Sequence, residues 1–231
     1  MQIAEDEEVN QLGKELTDLK GPQQVEHDIH GSTLYAGLQS IVTAYSHLQG
    51  DSLNDENIRI FKIVMSNGFH AYDRWDIVKR EGLTIHAVKG ERQAVVSVSK
   101  STFQRLQDRV EKYRDSGVLK HFQSVDHFEP YTRVEKEAKS LRQYLESEKD
   151  DVSVDVQMML LPNLPDDVQK RAVERLLKRI TSQNQKNTAR DYYLSDGTAV
   201  IHAQLPIKEL QEIEKDSALY RIEQTGFSHR L

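Results

Sequence analysis

The chain has 231 residues, 37% of them hydrophobic, and a formal net charge of −6, which suits one large domain or two small ones with a sizeable core. It has no cysteine, so a disulfide framework, thiolate catalysis and cysteine-bound metal are excluded, and no run approaches the roughly 18 apolar residues of a membrane span. The charge is uneven, −9 over residues 1–56 and +3 over the rest, and bases alternate with acids instead of forming a stripe, which argues against nucleic acid as the main partner.

The first stretch, residues 1–30, is polar and acidic, with one short helical piece around Leu12–Leu19. It opens on Met1 and an acidic cluster, Glu5 to Glu8, where a secretory signal needs a basic start and an apolar run; the expectation is a cytoplasmic protein. From Ser32 the pattern turns helical. Leu34, Leu38, Ile41, Val42, Tyr45 and Leu48 share a face, with Ser32 or Thr33 expected as the cap and Gly50-Asp51-Ser52 as the close. Ile58 to Met65 is apolar and β-branched, a buried strand. Residues 70–81 read as a short helix ending at Gly82, Leu83 to Val88 as a strand, Gly90-Glu91 as a tight turn, and Ala94 to Ser99 as the returning strand. An amphipathic helix with Phe103, Leu106, Val110 and Tyr113 stops at Gly117, and a short apolar segment, Phe122 to Phe128, ends at Pro130.

Residues 133–149 are charged and helix-compatible. The earlier order of elements then returns. Val152, Val154, Val156, Met158 and Leu160 alternate with polar neighbours, a half-buried strand. Pro165-Asp166-Asp167 opens a helix with Val168, Ala172, Leu176 and Ile180 on one face. Tyr192 to Leu194, an Asp196-Gly197 turn and Thr198 to Leu205 make a hairpin. Pro206 starts a helix bearing Leu210 and Ile213, and Leu219 to Glu223 is a final short strand.

Strand–helix–strand–strand–helix–strand therefore occurs twice, at about 57–129 and 152–225, and Ala94, Val96 and Val98 are spaced like Ala199, Ile201 and Ala203. A duplication of this kind decides the architecture. The expected fold class is α+β: tandem ferredoxin-like (βαββαβ) units with antiparallel sheets, preceded by an N-terminal helix and acidic arm. The implied division is 1–50 for arm and helix, 51–131 for the first unit, 132–150 for a helical connector and 151–231 for the second unit.

Chemistry-bearing motifs are sparse. His27 and His30 are spaced to share a helix face beside Glu26 and Asp28, but no further ligand completes a metal set, so they read as a solvated, polar helix start. His86 and His202 fall on strands, as structural or exposed histidines. Gly68, Gly82, Gly90 and Gly197 are isolated and mark turns or helix ends, so no loop cradles a phosphate. Asp150-Asp151 and Asp166-Asp167 suit helix starts, where carboxylates oppose the helix dipole. The expectation is a chain without catalytic residues, cofactor or metal.

Several short segments nevertheless resemble the N-terminal, non-catalytic region of bacterial subtilisin-like serine peptidases: His30-Gly31 with Leu34 and Leu38, then Ile60-Phe61-Lys62-Ile63, then Val96-Ser97-Val98-Ser99 with Phe103 and Tyr113, and Ala199 to Arg221. The catalytic signatures of that family are mimicked but not met. Asp115-Ser116-Gly117, His30-Gly31-Ser32 and Gly197-Thr198-Ala199 stand in the wrong order, and no Gly-Thr-Ser carries a nucleophile.

The resemblance implies a fragment, a processed propeptide or a stand-alone relative of that region. Its second unit would be prodomain-like, acting as chaperone and inhibitor of a subtilisin-like protease domain in cis or in trans. The sheet would cover two helices of the protease, and the tail, Thr225, Gly226, Phe227, Ser228, His229, Arg230 and Leu231, would lie extended in its cleft. The alternative is a stand-alone protein–protein interaction module, an adaptor, immunity or defence-associated protein, with no protease attached. A small-molecule regulatory pair of ferredoxin-like units is a third reading, though it needs a glycine-rich turn that the sequence lacks.

Overall fold

A computed structural model describes residues 26–46, 53, 56–67, 76–132, 135–183 and 186–225. Its elements follow the two-fold order read from the sequence. Helix α1 (His27–Ser46) precedes the first unit, which comprises β1 (Ile58–Met65), α2 (Asp76–Glu81), β2 (Thr84–Lys89), β3 (Gln93–Ser99), α3 (Lys100–Ser116), a 3-10 turn (Lys120–Ser124) and β4 (Val125–Pro130). Helix α4 (Lys139–Ser147) leads to the second unit, with β5 (Ser153–Leu160), α5 (Asp166–Gln183), β6 (Thr188–Tyr193), β7 (Ala199–Pro206), α6 (Ile207–Ile213) and β8 (Leu219–Gln224).

Each unit forms one four-stranded sheet, ordered β2-β3-β1-β4 and β6-β7-β5-β8, with every pairing antiparallel. Numbered within each unit, both are the 2-3-1-4 order of a ferredoxin-like βαββαβ fold. The registers also agree: Phe61 faces Val96 and Met158 faces Ile201. Ile60 and Gln157 are therefore equivalent positions, as are Lys62 and Met159.

The units dispose of their sheets differently. In β1 the apolar run is nearly continuous, and every residue from Ile60 to Met65 is buried, the mark of a strand covered on both faces. One face, with Phe61, packs on Phe103 of α3 and Phe128 of β4 at ring distances of 5.7 and 5.9 Å. Helix α1 lies on the same side. A Cβ on its Gly37 would sit 2.3 Å from the Phe128 carbonyl oxygen, and one on Gly31 2.6 Å from Arg114 Cα, so glycine at these points lets the helix touch its neighbours' backbones. Tyr45 completes the dock: its hydroxyl donates to Ile60 O at 2.9 Å and accepts from Ile60 N at 2.7 Å, satisfying strand groups just beyond the last β1–β4 pair, Phe61 with Pro130.

Two expectations for α1 are corrected. The helix begins at His27, not at Ser32 or Thr33, whose hydroxyls bond back to Asp28 O and Ile29 O at 2.7 and 3.2 Å. Nor are its histidines simply solvated. His30 joins Tyr113 Oη (3.0 Å) and Val125 O (2.7 Å), and His27 joins Arg114 O (2.9 Å), tying α1 to α3 and β4. The expected closing segment at residues 50–52, Leu48, the first part of the 70–81 helix and residues 1–25 of the acidic arm lie outside the described residues, while its last residues, from His27, are the first turn of α1.

The opposite face of the first sheet carries Ile60, Lys62, Val64, His86 and Ser97, all buried, and the second unit reaches it there. Pro162 O is 2.5 Å from His86 Nδ1, and Asn163 Nδ2 donates to Ile85 O at 3.3 Å. In β5 the residues alternate between buried and partly exposed along the strand, so that sheet has one core face and one open face. The buried side chains of both units merge into one continuous core.

Candidate functional site

The open face of the second sheet is built of three rows, each defined by register. At the hairpin end Tyr192, Val200, Met159 and Arg221 stand side by side; next come Arg190, His202, Gln157 and Glu223; then Thr188, Gln204 and Asp155. Thr225 continues the last row, its N–H donating to Asp155 O at 3.0 Å. The face thus grades from a row with Tyr192, Met159 and a buried Val200, ended by the charged Arg221, to wholly polar rows. Arg221 and Glu223 form an ion pair on it.

His202 Nε2 lies 2.7 Å from Asp155 Oδ1 and 3.4 Å from Thr225 Oγ1. A nucleophile relay needs the acid and the hydroxyl on different imidazole nitrogens, and here both meet the same one. The cluster instead ties the end of β8 to β5 and β7. Thr225 is the one member of the expected tail that is described; Gly226, Phe227, Ser228, His229, Arg230 and Leu231 lie outside the described residues.

The other triplets singled out in the sequence are placed apart from this face. Asp115 is exposed and held by Arg114 Nε at 2.8 Å, and Gly117 caps α3 with φ +66°, its N–H donating to Tyr113 O at 2.8 Å. His30-Gly31-Ser32 is inside α1, and Gly197 turns the β6–β7 hairpin. Among the described residues, no three histidine and carboxylate side chains are grouped to hold a metal ion, and no helix is long and apolar enough to cross a membrane.

A second polar region, not found by sequence reading, joins the units. A groove of about 260 Å³ is lined by Lys89, Glu135, Glu137, Tyr220 and Arg221, among others. Beneath it, buried Lys62 pairs with Glu129 and Glu135 at 2.6 Å each. Burial alone would lower the Lys62 ammonium, but its two carboxylates outweigh that and hold its pKa above the usual lysine value. Glu135 is the counterpart: burial would raise it, yet Lys62 and the Thr132 hydrogen bonds hold it below its usual range. Burial lowers Lys89, against the pull of Glu135, and its Nζ sits 4.9 Å from the Tyr131 ring centre. Tyr131 stacks near Tyr220 and donates to Tyr220 O at 2.7 Å; burial foremost pushes its hydroxyl pKa far up, which keeps it a donor.

The connector also takes a role that its charged sequence hides. Ala138 N donates to Ile222 O at 2.9 Å and Ile222 N to Lys136 O at 2.8 Å, so residues 136–138 run along the outer side of β8 before α4 begins. On the far side of the junction, Arg171 donates twice to Glu56 and Arg175 once, all at 2.9 Å. Arg171 foremost holds the Glu56 carboxyl below its ordinary range. These contacts make a stapled joint between the units. The signal for it was present only as isolated residues far apart in sequence, Glu56 standing more than a hundred positions from Arg171 and Arg175.

No family model, curated protein or solved structure matches this chain.

Proposed function

We propose that the chain works by binding another protein through the open face of its second unit. The favoured partner is a subtilisin-like protease domain, in cis or in trans, for which it serves as non-catalytic chaperone and inhibitor in the cytoplasm. The observation that carries this reading is that face itself: the partly exposed side of a sheet, with Tyr192 and Met159 at one end and polar rows at the other, and with Thr225, just after the last strand, on it. Such a sheet can lie flat on two helices while the chain beyond β8 continues as an extended strand into a cleft. The family resemblance of the sequence supplies the partner class. The second reading, a stand-alone interaction module, uses the same face without the tail.

The test is inhibition of a subtilisin-like protease domain supplied in trans. Deleting residues 225–231 is expected to weaken inhibition about tenfold or more, roughly 1.4 kcal/mol. Replacing Gln157 and Met159 together by Arg is expected to abolish it. Inhibition unchanged by the deletion removes the tail from the reading; inhibition unchanged by both removes the open face as the inhibitory surface, and no inhibition by the parent chain leaves only the interaction module, with another partner. A reading frame that runs on past Leu231 into Asp-Ser-Gly or Asp-Thr-Gly, His-Gly-Thr and Gly-Thr-Ser motifs favours the protease reading.

A further inference from the structure

Four strands lie at the outer margins of the two sheets, and three of them are blunted. β2 has a register shift between Ile85 and Ala87. β4 meets a shift at Val64 and Met65 and has α1 packed close, at Phe128. β8 meets a shift at Met159 and Leu160 and is covered by residues 136–138. Bulges and covering segments are how native proteins stop a sheet edge from pairing with another chain. β6 has neither. It pairs with β7 through six consecutive residues without a shift, contains no proline or lysine, and is the outer strand of its sheet with no described residue paired on its free side.

That edge is also held ready. Asn187 Nδ2 donates to Ile180 O at 2.9 Å and to Glu209 Oε2 at 2.5 Å, fixing the start of the strand. Leu194 N donates to Thr198 O at 2.9 Å at the other end. Since Leu194 points its N–H to β7, the alternation of an antiparallel ladder turns the main-chain groups of Ala189, Asp191 and Tyr193 outward. Tyr192, Tyr193 and Leu194 are 37%, 53% and 37% exposed, a contiguous apolar stretch beside those free groups.

We propose that β6 accepts an extended segment of a partner protein as a fifth, antiparallel strand along its free main-chain edge, which borders the open face through Tyr192 and Arg190. The charges on the edge define the segment. Directly opposed residues share a face, so the incoming strand meets Tyr193, Tyr192, Asp191 and Arg190 in that order from its N-terminal end. The complementary sequence is apolar, apolar, basic, acidic. A second copy of this chain is the poorer match. Two-fold pairing about Arg190 or Asp191 opposes like charges, pairing about Tyr192 sets both charges against apolar side chains, pairing about Ala189 sets them against Thr188 and Asn187, and pairing about Tyr193 runs into the turn after Leu194.

The experiment is a titration of the isotope-labelled full chain, followed by amide shifts, with a peptide whose core is Val-Val-Lys-Glu-Val-Thr. The control peptide has Lys and Glu exchanged. The expected result is shifts centred on Ala189, Asp191 and Tyr193, with the exchanged peptide at least about fivefold weaker. Asp191→Pro removes one outward N–H and leaves the β7 ladder whole, so it is expected to abolish binding with the spectrum of the fold retained. The double variant Arg190→Asp with Asp191→Lys is expected to reverse the preference between the peptides, and it decides the matter if the proline variant does not fold. No binding by either peptide, equal binding of both, or shifts centred on Gln157, His202 and Glu223 instead overturns the proposal. Protease inhibition does not enter this experiment, so its outcome is independent of the function proposed above.

Discussion

The two ferredoxin-like units share strand order and register, yet the first spends its sheet on the interior and the second keeps half of its sheet for the surface. Equivalent positions show the contrast most directly. Ile60 and Lys62 of β1 are buried, while Gln157 and Met159 of β5 are partly exposed. The difference follows from what each unit packs against. The first has α1 and α3 on one side and the β5–α5 turn of the second on the other, so a lysine at its centre needs two carboxylates, Glu129 and Glu135, to be tolerated. Among the described residues, the second has helices α5 and α6 on its core side. A repeated topology is thus divided into a unit whose first strand is buried on both faces and a unit whose first strand is buried on one.

The sharpest way to break this comparison is to truncate matched core positions. Phe61→Ala, between Phe103 and Phe128, is expected to cost about 3–5 kcal/mol, and Ile60→Ala and Leu176→Ala about 2–5 kcal/mol each. The readout is the urea midpoint by circular dichroism. Ile60 is the critical member: it lies on the face away from α1 and α3, so a near-neutral Ile60→Ala means that the second unit does not cover that face.

Next in size is the docking of α1. Gly37→Ala places a methyl against the Phe128 carbonyl and is expected to destabilise by about 1–3 kcal/mol, although alanine is the better helix former. An unchanged or raised midpoint would show that α1 can shift without loss, and that it is an accessory to the first unit instead of part of its core.

Much of this division was legible in the residues. The near-continuous run Ile58 to Met65 against the strict alternation Val154, Val156, Met158 already distinguishes a doubly covered strand from a singly covered one. Both hairpins, the helix stopped at Gly117 and the repeated order fall where local pattern puts them, because each depends on neighbours in sequence. What was not legible depends on distant partners. His27 and His30 look solvated until α3 arrives beside them, and Ser32 and Thr33 look like caps until the helix is seen to start earlier. Residues 136–138 carry no strand pattern, since only main-chain groups pair with β8. The open face showed as alternation, but nothing local reveals that β6 is an outer strand.

A smaller effect concerns the joint. The Pro162 carbonyl can only accept, so His86 carries its proton on Nδ1, and Nε2 accepts from the Ser97 hydroxyl 2.7 Å away. Burial pushes the imidazole below its ordinary value of about 6.5, with the Pro162 hydrogen bond offsetting part of this. The unfolded chain therefore takes up this proton first as pH falls. The stability contributed by neutral His86 is complete above the unfolded value and is lost as pH drops through the lowered, folded one. Urea midpoints at pH about 7.5 and about 5.5 are expected to fall further for the parent than for His86→Gln. Equal falls would place the acid sensitivity elsewhere than at the joint.

The smallest expected effect is the most informative about the second unit. Gln157 occupies the position of Ile60 and faces outward between His202 and Glu223 in the pairing register. Its side chain contributes no core packing, so Gln157→Ala is expected to change stability by no more than about 0.5 kcal/mol, against the several kcal/mol of Ile60→Ala. The same substitution removes a polar group from the centre of the proposed docking face. If that face is the working surface, Gln157→Ala leaves the urea midpoint in place and still weakens partner inhibition, separating binding from folding in one variant. A loss of stability like that of Ile60→Ala would mean that the second sheet is covered on both sides, and the contrast between the units would collapse.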